Sequence, residues 1–423
     1  MKTVSLISLG CKVSQYESDA IGQELAKLGY NVYNHFCVAD YYILNTCAVT
    51  NEAERKSRNY LSKILTKNKD AKIIVCGCAS QNSQNQFLEN PNVIFVLGNN
   101  RKNTITKLLV DFENNNNQFN RNQLVPLDLT YDEFTSMPQG KTRAYLKIQD
   151  GCNNFCSYCL IPFVRGRSRS RELCSIVKEA EFLSKTNQEI VLTGINMSDY
   201  KIDGKLALQT VMESLSHIKS RVRIGSLEVN IITDEFLQTL KDMPNFCPQF
   251  HLSMQSGCDR ILKLMNRHYT KDEFLSKVKL IKSYFKDASI TTDVIVGFPT
   301  ETEQDFLETI DTIKQAEFYK MHIFPYSVRK GTRAEKMVQV NGSVKKERVK
   351  LLMQLDEQLH NKYLLNVKNV EQTVLTEEIE NDFVVGYTEN YIKVYLDKST
   401  PLNSLLKVRL TEIYGEGAKA EVI

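Results

Sequence analysis

The chain is predicted to be α/β in class: an N-terminal parallel α/β domain, a central partial TIM-like (β/α)6 barrel and a small C-terminal antiparallel β-barrel. Three observations predict this. Apolar strand-like runs alternate with helix-period segments through the first and middle parts of the 423 residues, the pattern of parallel sheets with crossover helices. A polar tract, Glu113-Asn114-Asn115-Asn116-Asn117-Gln118, interrupts that alternation. The last stretch breaks into short strands separated by turns, which suits a closed β structure.

In the first part, strands are expected over residues 4–9, 41–45, 72–76 and 93–97, with helices over 18–28, 52–67 and 102–112. These make a domain of residues 1–112. Residues 113–139 read as a linker, because the polar tract has too few apolar side chains to offset the entropy of ordering it. A second domain, residues 140–360, is expected to hold strands at 145–148, 190–193, 222–226, 249–253, 289–296 and 322–324, separated by helices. A basic helical segment follows near 345–365, and a third domain, 361–423, carries short strands near 372–377, 383–385, 392–395 and 404–410.

Hydrophobic residues make up 42% of the chain and charged residues 25%, a globular balance, and no apolar run approaches transmembrane length, so no membrane partner is expected. Eleven cysteines without a signal-like apolar segment at the N-terminus point to reduced thiols in the cytoplasm, used for ligation or catalysis rather than disulfides. A net charge of +4 is too slight to announce a nucleic-acid partner by itself. It is unevenly spread. Lys141, Arg143, Lys147, Arg165, Arg167, Arg169 and Arg171 stand against Asp150 alone in residues 141–171, which predicts a local basic surface.

That stretch contains Gly151-Cys152-Asn153-Asn154-Phe155-Cys156-Ser157-Tyr158-Cys159, three thiols in one short loop after the first barrel strand. At roughly 3.5 Å per extended residue, these gaps let the loop curl around a [4Fe-4S] cubane and ligate three of its irons. The fourth iron stays open. A structural zinc site wants four ligands, and the next cysteine, Cys174, sits outside the loop in an expected helix. Loops after barrel strands build active sites, so location and ligand type agree.

Cys-x3-Cys-x2-Cys after strand one resembles the radical S-adenosylmethionine (SAM) superfamily. The resemblance implies that the open iron chelates SAM and that an electron from the cluster cleaves it to a 5′-deoxyadenosyl radical. Other strand ends then become candidate SAM contacts: Thr193, Gly194 and Asn196 after strand two, Ser226 and Glu228 after strand three, Gln255 after strand four, and Asp293 and Gly297 on strand five. Taken singly, each has a plainer reading. A glycine at a strand end is commonly a turn, and residues 293–299 alone read more naturally as buried strand than as an adenine platform.

Cys11, Cys47 and Cys78 each follow an apolar run. If those runs are neighbours about 4.8 Å apart in a parallel sheet, the three sulfurs emerge at the edge where such sheets place ligands. Three unrelated core cysteines give the same pattern, because sheet order is not readable from sequence. Here a closer resemblance enters. Gly10-Cys11-Lys12-Val13-Ser14-Gln15-Tyr16-Glu17-Ser18, Asn45-Thr46-Cys47-Ala48-Val49-Thr50 and Gly77-Cys78-Ala79-Ser80-Gln81 resemble the N-terminal domain of the methylthiotransferases. Ile161-Pro162-Phe163-Val164-Arg165-Gly166, His251-Leu252-Ser253-Met254-Gln255-Ser256-Gly257, Met265-Asn266-Arg267 and Gly297-Phe298-Pro299-Thr300-Glu301-Thr302 are also similar to that family, as is a TRAM-like terminal barrel.

The resemblance implies two [4Fe-4S] clusters: Cys152, Cys156 and Cys159 holding the SAM-cleaving one, Cys11, Cys47 and Cys78 an auxiliary one that carries or donates sulfur. One SAM then serves as methyl donor and a second as radical source, with an electron donor protein and a sulfur-donor system as partners. Cys37, Cys76, Cys174, Cys247 and Cys258 receive no role. Cys11-Lys12-Val13 with Gln15-Tyr16-Glu17-Ser18 is similar to the MtaB-type branch, which implies 2-methylthiolation of N6-threonylcarbamoyladenosine at position 37 of tRNA. Ser14, Val229 and Thr300 depart from that branch's pattern. Isopentenyladenosine in tRNA and ribosomal protein S12 are the substrates of sister branches, and a non-enzymatic iron-sulfur RNA-binding protein is the reading outside catalysis. For RNA, Arg165 to Arg171 would neutralise phosphates while Phe155, Tyr158 and Phe163 stack on an extruded base, although an arginine run is as often a solvated face. Residues 361–423 carry seven basic and ten acidic side chains, so the last domain is weakly acidic, and Lys345, Lys346, Arg348 and Lys350 form a rival basic surface.

Overall fold

The computed structural model describes residues 1–114, 119–127, 130–136 and 142–423. Strands β1 (Thr3–Ser8), β2 (Asn31–Tyr33), β3 (Tyr41–Thr46), β4 (Lys72–Gly77) and β5 (Val93–Val96) form one parallel sheet in the order β2-β1-β3-β4-β5. Both faces are covered. Leu6, Ile43, Ile74 and Phe95 pack toward one side and Ile7, Leu44, Val75 and Val96 toward the other, which is why these strands read as unbroken apolar runs. Helix α1 (Lys12–Lys27) starts six residues before the expected residue 18, since Cys11 is its N-cap. Helix α2 (Asn51–Lys67) is capped by Thr50, whose hydroxyl accepts from the Ala53 N–H at 3.1 Å.

The middle of the chain supplies six parallel barrel positions. Strand β6 (Arg143–Lys147) pairs with Glu189–Thr193, which pairs with Arg221–Ile224. Ser226–Leu227, Gln249–Gln255, Ser289–Val296 and Lys320–Pro325 continue the curve. The third expected strand breaks at Gly225, where the backbone switches partners from one sheet to the next. Ile190, Leu192, Ile224, Leu252 and Val294 lie in the core shared with the surrounding helices.

Five strands close the C-terminal barrel: Glu371–Glu380, Phe383–Thr388, Lys393–Asp397, Gly417–Val422 and Leu405–Tyr414 in spatial order. It is not wholly antiparallel as expected. Lys393–Asp397 and Gly417–Val422 run parallel, and the latter strand, rich in Gly and Ala, carries too weak a β signal to be foreseen. The barrel sits against the start of the central strands. Arg221 and Arg223 share the buried Glu189 carboxylate and donate to the carbonyls of Thr373, Tyr387, Thr388 and Glu389.

Two sequence-based expectations change. Much of the segment between the first two parts is packed: Phe119 meets Phe95 edge-on, the Val96 N–H donates to the Arg121 carbonyl, and Phe134 is buried while its carbonyl accepts from Tyr16. Residues 115–118 of the asparagine tract, 128–129 and 137–141, Lys141 among them, lie outside the described residues. The basic run, moreover, is interior. Lys147, Arg165, Arg169 and Arg171 are buried and Arg143 is half-buried. Glu17 accepts from Lys102 at 2.5 Å, Lys147 at 2.9 Å and Arg165 at 3.1 Å, and Asp150 accepts from Lys147 at 2.7 Å and Arg165 at 3.0 Å. Only Arg167 of the four late arginines is exposed, and its guanidinium lies 4.3 Å from the Phe155 ring. Burial opposes charge on Glu17, yet Arg165, Lys102 and Lys147 together hold its carboxyl well below the usual range.

Candidate active site

Beyond β6, residues Gln149–Asp150 pair antiparallel with Arg169–Ser170 and pinch off the loop bearing Cys152, Cys156 and Cys159. Gly151 takes φ +72°, and a methyl group there would sit 2.0 Å from the Arg167 carbonyl oxygen, so the loop can close only on glycine. Each sulfur meets a donor. The Asn154 N–H points at Cys152 Sγ (3.4 Å), the Ile161 N–H at Cys159 Sγ (3.4 Å) and Arg267 Nη1 at Cys156 Sγ (3.5 Å). Burial nevertheless pushes the Cys152 thiol up to about 11 and the Cys159 thiol up to about 12, with Cys156 adding to the second. Three half-buried thiols, each met by an N–H donor, with Cys152 and Cys159 penalised as free thiolates, suit a cationic iron centre, which would supply the missing charge.

The sheet order places the strands that precede the other three cysteines side by side. Cys47 and Cys78 directly follow β3 and β4, and Cys11 lies three residues beyond β1; β1, β3 and β4 are adjacent. Cys47, raised to about 11 chiefly by burial, also feels the thiols of Cys78 and Cys11. Asn99 Nδ2 donates to Cys78 Sγ at 3.4 Å. Among the described residues, buried Arg165 Nε, beside Cys78 and Cys11, and buried Asn45 Oδ1 and Asn99 Oδ1 have no hydrogen-bond partner. Two buried thiols and the exposed Cys11, rimmed by unspent polar atoms, fit a sulfide-rich cluster better than three core cysteines. Among the described residues, no group of three or more His, Cys, Asp or Glu side chains is placed to hold a metal ion.

Both halves open into one cavity of about 500 Å³. Cys11 and Lys12 enter it from the N-terminal part, Thr193, Gly194, Ser226 and Asp293 from the barrel strands, and Tyr387 and Tyr391 from the C-terminal barrel. Helix α1 packs on β6, so its first residues stand at the open side of the incomplete barrel.

The expected SAM contacts therefore divide. Thr193, Gly194, Ser226 and Asp293 share the large chamber, with Asp293 Oδ2 3.2 Å from His251 Nε2. Asn196 and Glu228 line a smaller cavity of about 180 Å³ beside the cysteine loop, where Asn196 Nδ2 is 3.8 Å from Cys152 Sγ and Glu228 pairs with Arg267. Gln255 and Gly297 line neither cavity. At Gly297, φ is +65° and a methyl group would meet Lys345 Cγ at 2.4 Å, so the Gly-Phe-Pro run is a packed turn. The structure also takes Tyr158 out of the expected base-stacking set, since it packs edge-on against Phe298, whereas Phe163 stays exposed against Phe155. The rival basic surface loses Arg348, which pairs with buried Glu301. Sequence reasoning missed Gln149, whose amide accepts from the Ile195 and Asn196 N–H groups at 3.0 and 2.8 Å and donates to the Gly151 carbonyl at 2.9 Å. Arg267 stood inside a quoted motif, but nothing in the sequence linked it to Cys156.

Comparison with known proteins agrees with this geometry. Residues 146–313 match the family described as "Radical SAM superfamily", and residues 3–98 match "Uncharacterized protein family UPF0004". The chain is 36% identical to the threonylcarbamoyladenosine tRNA methylthiotransferase MtaB of Bacillus subtilis (strain 168), over 100% of this chain and 97% of that protein. It is 39% identical to the protein of the same name from Thermotoga maritima, over 93% and 91% of the two chains. The fold is shared with the radical SAM methyltransferase TsrM of Kitasatospora setae at a TM-score of 0.59 and 14% identity, covering 79% of this chain and 77% of that one. Family and chamber lead to one conclusion: the chain is a radical SAM enzyme that transfers a methylthio group to tRNA, and it belongs to the MtaB-type methylthiotransferase family.

Proposed function

We propose that this enzyme methylthiolates C2 of N6-threonylcarbamoyladenosine at position 37 of tRNA, with Cys152, Cys156 and Cys159 holding the SAM-cleaving [4Fe-4S] cluster and Cys11, Cys47 and Cys78 an auxiliary one. The observation that carries the reading is the shared chamber, into which Cys11 and four of the barrel strand-end residues all project. When bound, the clusters and two SAM molecules supply the methyl group, the sulfur and the 5′-deoxyadenosyl radical.

The chain's own groups then have defined tasks. Arg267 and the Asn154 and Ile161 N–H groups donate toward the loop sulfurs, and Gln149 ties the Gly194 turn to that loop. Thr193, Gly194, Ser226 and Asp293 offer polar contacts along the chamber wall, while Asn196 and Glu228 do so beside the loop. Half-buried Phe155 with exposed Phe163 and Arg167 forms a small patch on and beside the cysteine loop, suited to stacking on RNA. We read residues 1–112, 140–360 and 361–423 as three domains joined by 113–139, the last TRAM-like. An electron donor protein and a sulfur-donor system complete the cycle in the cytoplasm; among the described residues no helix is long and apolar enough to cross a membrane.

The test is anaerobic reconstitution followed by mass spectrometry of nucleosides from tRNA incubated with SAM and reductant. The expected product is 2-methylthio-N6-threonylcarbamoyladenosine, lost in both Cys11→Ala and Cys156→Ala. A product formed instead on isopentenyladenosine tRNA or on ribosomal protein S12 overturns the substrate assignment.

A further inference from the structure

We propose that Lys12 reads a carboxylate on the substituent of the target base, so that the chamber selects a negatively charged modification and rejects an apolar one. This rests on the substrate reading above, since the threonyl part of threonylcarbamoyladenosine ends in a carboxylate and an isopentenyl group does not.

Lys12 is the first residue of α1, and its side chain reaches into the chamber, where it is open to water yet ringed by Tyr391, Arg223, Arg143 and Glu189. The other cations around it already have carboxylate partners. Arg223 shares Glu189 with Arg221 at 3.1 Å, Arg143 pairs with Glu377 and Lys393 with Glu380 at 2.6 Å, while Asp293 Oδ2 stands 3.2 Å from His251 Nε2. Lys12 forms no ion pair or hydrogen bond with any described residue, which leaves one surplus ammonium facing the space that the base must enter.

A second observation points the same way. Helix α1 runs for sixteen residues, the side chain of its N-cap Cys11 meets Ser14 Oγ at 3.9 Å but caps no backbone N–H, and its first turn holds no acidic residue. The positive end of that helix therefore faces the chamber beside Lys12 with no acidic side chain of its own first turn to offset it. A carboxylate placed here gains a charge-assisted partner and relieves the unpaired ammonium. An alkyl substituent leaves that ammonium desolvated, which is a penalty against the wrong substrate.

The experiment uses the reconstituted holoenzyme and two anticodon stem-loops, one carrying the free threonylcarbamoyl acid and one its methyl ester. Wild-type enzyme is expected to favour the acid by about 10- to 100-fold in kcat/KM, mostly through KM, with a matching difference in stem-loop Kd by filter binding. In Lys12→Met that preference collapses because the acid weakens while the ester does not; Lys12→Arg keeps part of it. Iron content per chain and cluster absorption, unchanged in both variants, separate this from damage at neighbouring Cys11. A wild-type enzyme indifferent to esterification overturns the inference without any variant, and so does a Lys12→Met enzyme that keeps the wild-type preference. A raised KM for SAM in Lys12→Met, with the acid preference intact, assigns Lys12 to the carboxylate of SAM instead. Failure of wild-type enzyme on both stem-loops sinks the substrate reading and takes this inference with it.

Discussion

Asp356, in the helix Gly342–Asn366, shows how one residue reports on its surroundings. Burial pushes its carboxyl up to about 6 even though the Met321 N–H, 2.6 Å away, works in the opposite direction. A carboxyl raised in the folded state contributes stability below its unfolded value near 4, and that contribution is lost as pH rises through about 6. Asp356→Asn keeps an acceptor for Met321 but cannot ionise. The variant is expected to melt at a higher temperature than wild type at pH 7.5 and to lose that advantage at pH 4.5, as followed by circular dichroism. Residues of this kind mark the boundary of what sequence can disclose. The loop that gathers Cys152, Cys156 and Cys159 was legible because it needs only local spacing. The contacts of Gln149 and Arg267 and the place of Lys12 in the chamber were not, since only the folded chain creates them. The arginines at 165, 169 and 171 misled for the same reason: a run of charge says nothing about burial until its counter-ions, Glu17, Asp150 and Glu179, are placed.

At the level of elements, the alternation of strand and helix could be read almost throughout, because strands buried on both faces are apolar at every position. The order of strands could not. Yet order decides whether Cys11, Cys47 and Cys78 converge, and β1, β3 and β4 being neighbours is what brings them to one edge. The hinge of that arrangement is the turn out of β4. Gly77 takes φ +106°, and a methyl group there would lie 2.4 Å from the Thr46 carbonyl oxygen and 2.7 Å from Asn45 Oδ1. Gly77→Ala must move the backbone that presents Cys78. The expected loss is about 2–4 kcal/mol of stability by denaturant titration, together with iron bound at only one of the two cysteine sets. An alanine variant with wild-type stability and full iron content would contradict the account of this turn. Elements with little apolar signal, such as Gly417–Val422, escaped notice because pairing and not composition makes them strands.

Across the whole molecule, the junction between the first sheet and the barrel is ionic and dry. Glu17 comes from α1, Lys102 from the segment after β5, and Lys147, Asp150 and Arg165 from β6 and the cysteine loop, all buried. Removing one charge strands the others in low dielectric, so Glu17→Gln is expected to cost about 3–5 kcal/mol. Calorimetry should show the N-terminal part melting separately from the rest; a single transition at the wild-type temperature refutes the role given to this network. Sequence hinted at three parts but not at their seams, because the contacts that join them lie far apart along the chain. The chamber inherits this composite origin, for its floor is laid by Tyr387 and Tyr391 of the terminal barrel. Grafting a tail from a relative with different preferences would therefore resurface the room in which the base is read, so selectivity should travel partly with a module that carries none of the six clustered thiols.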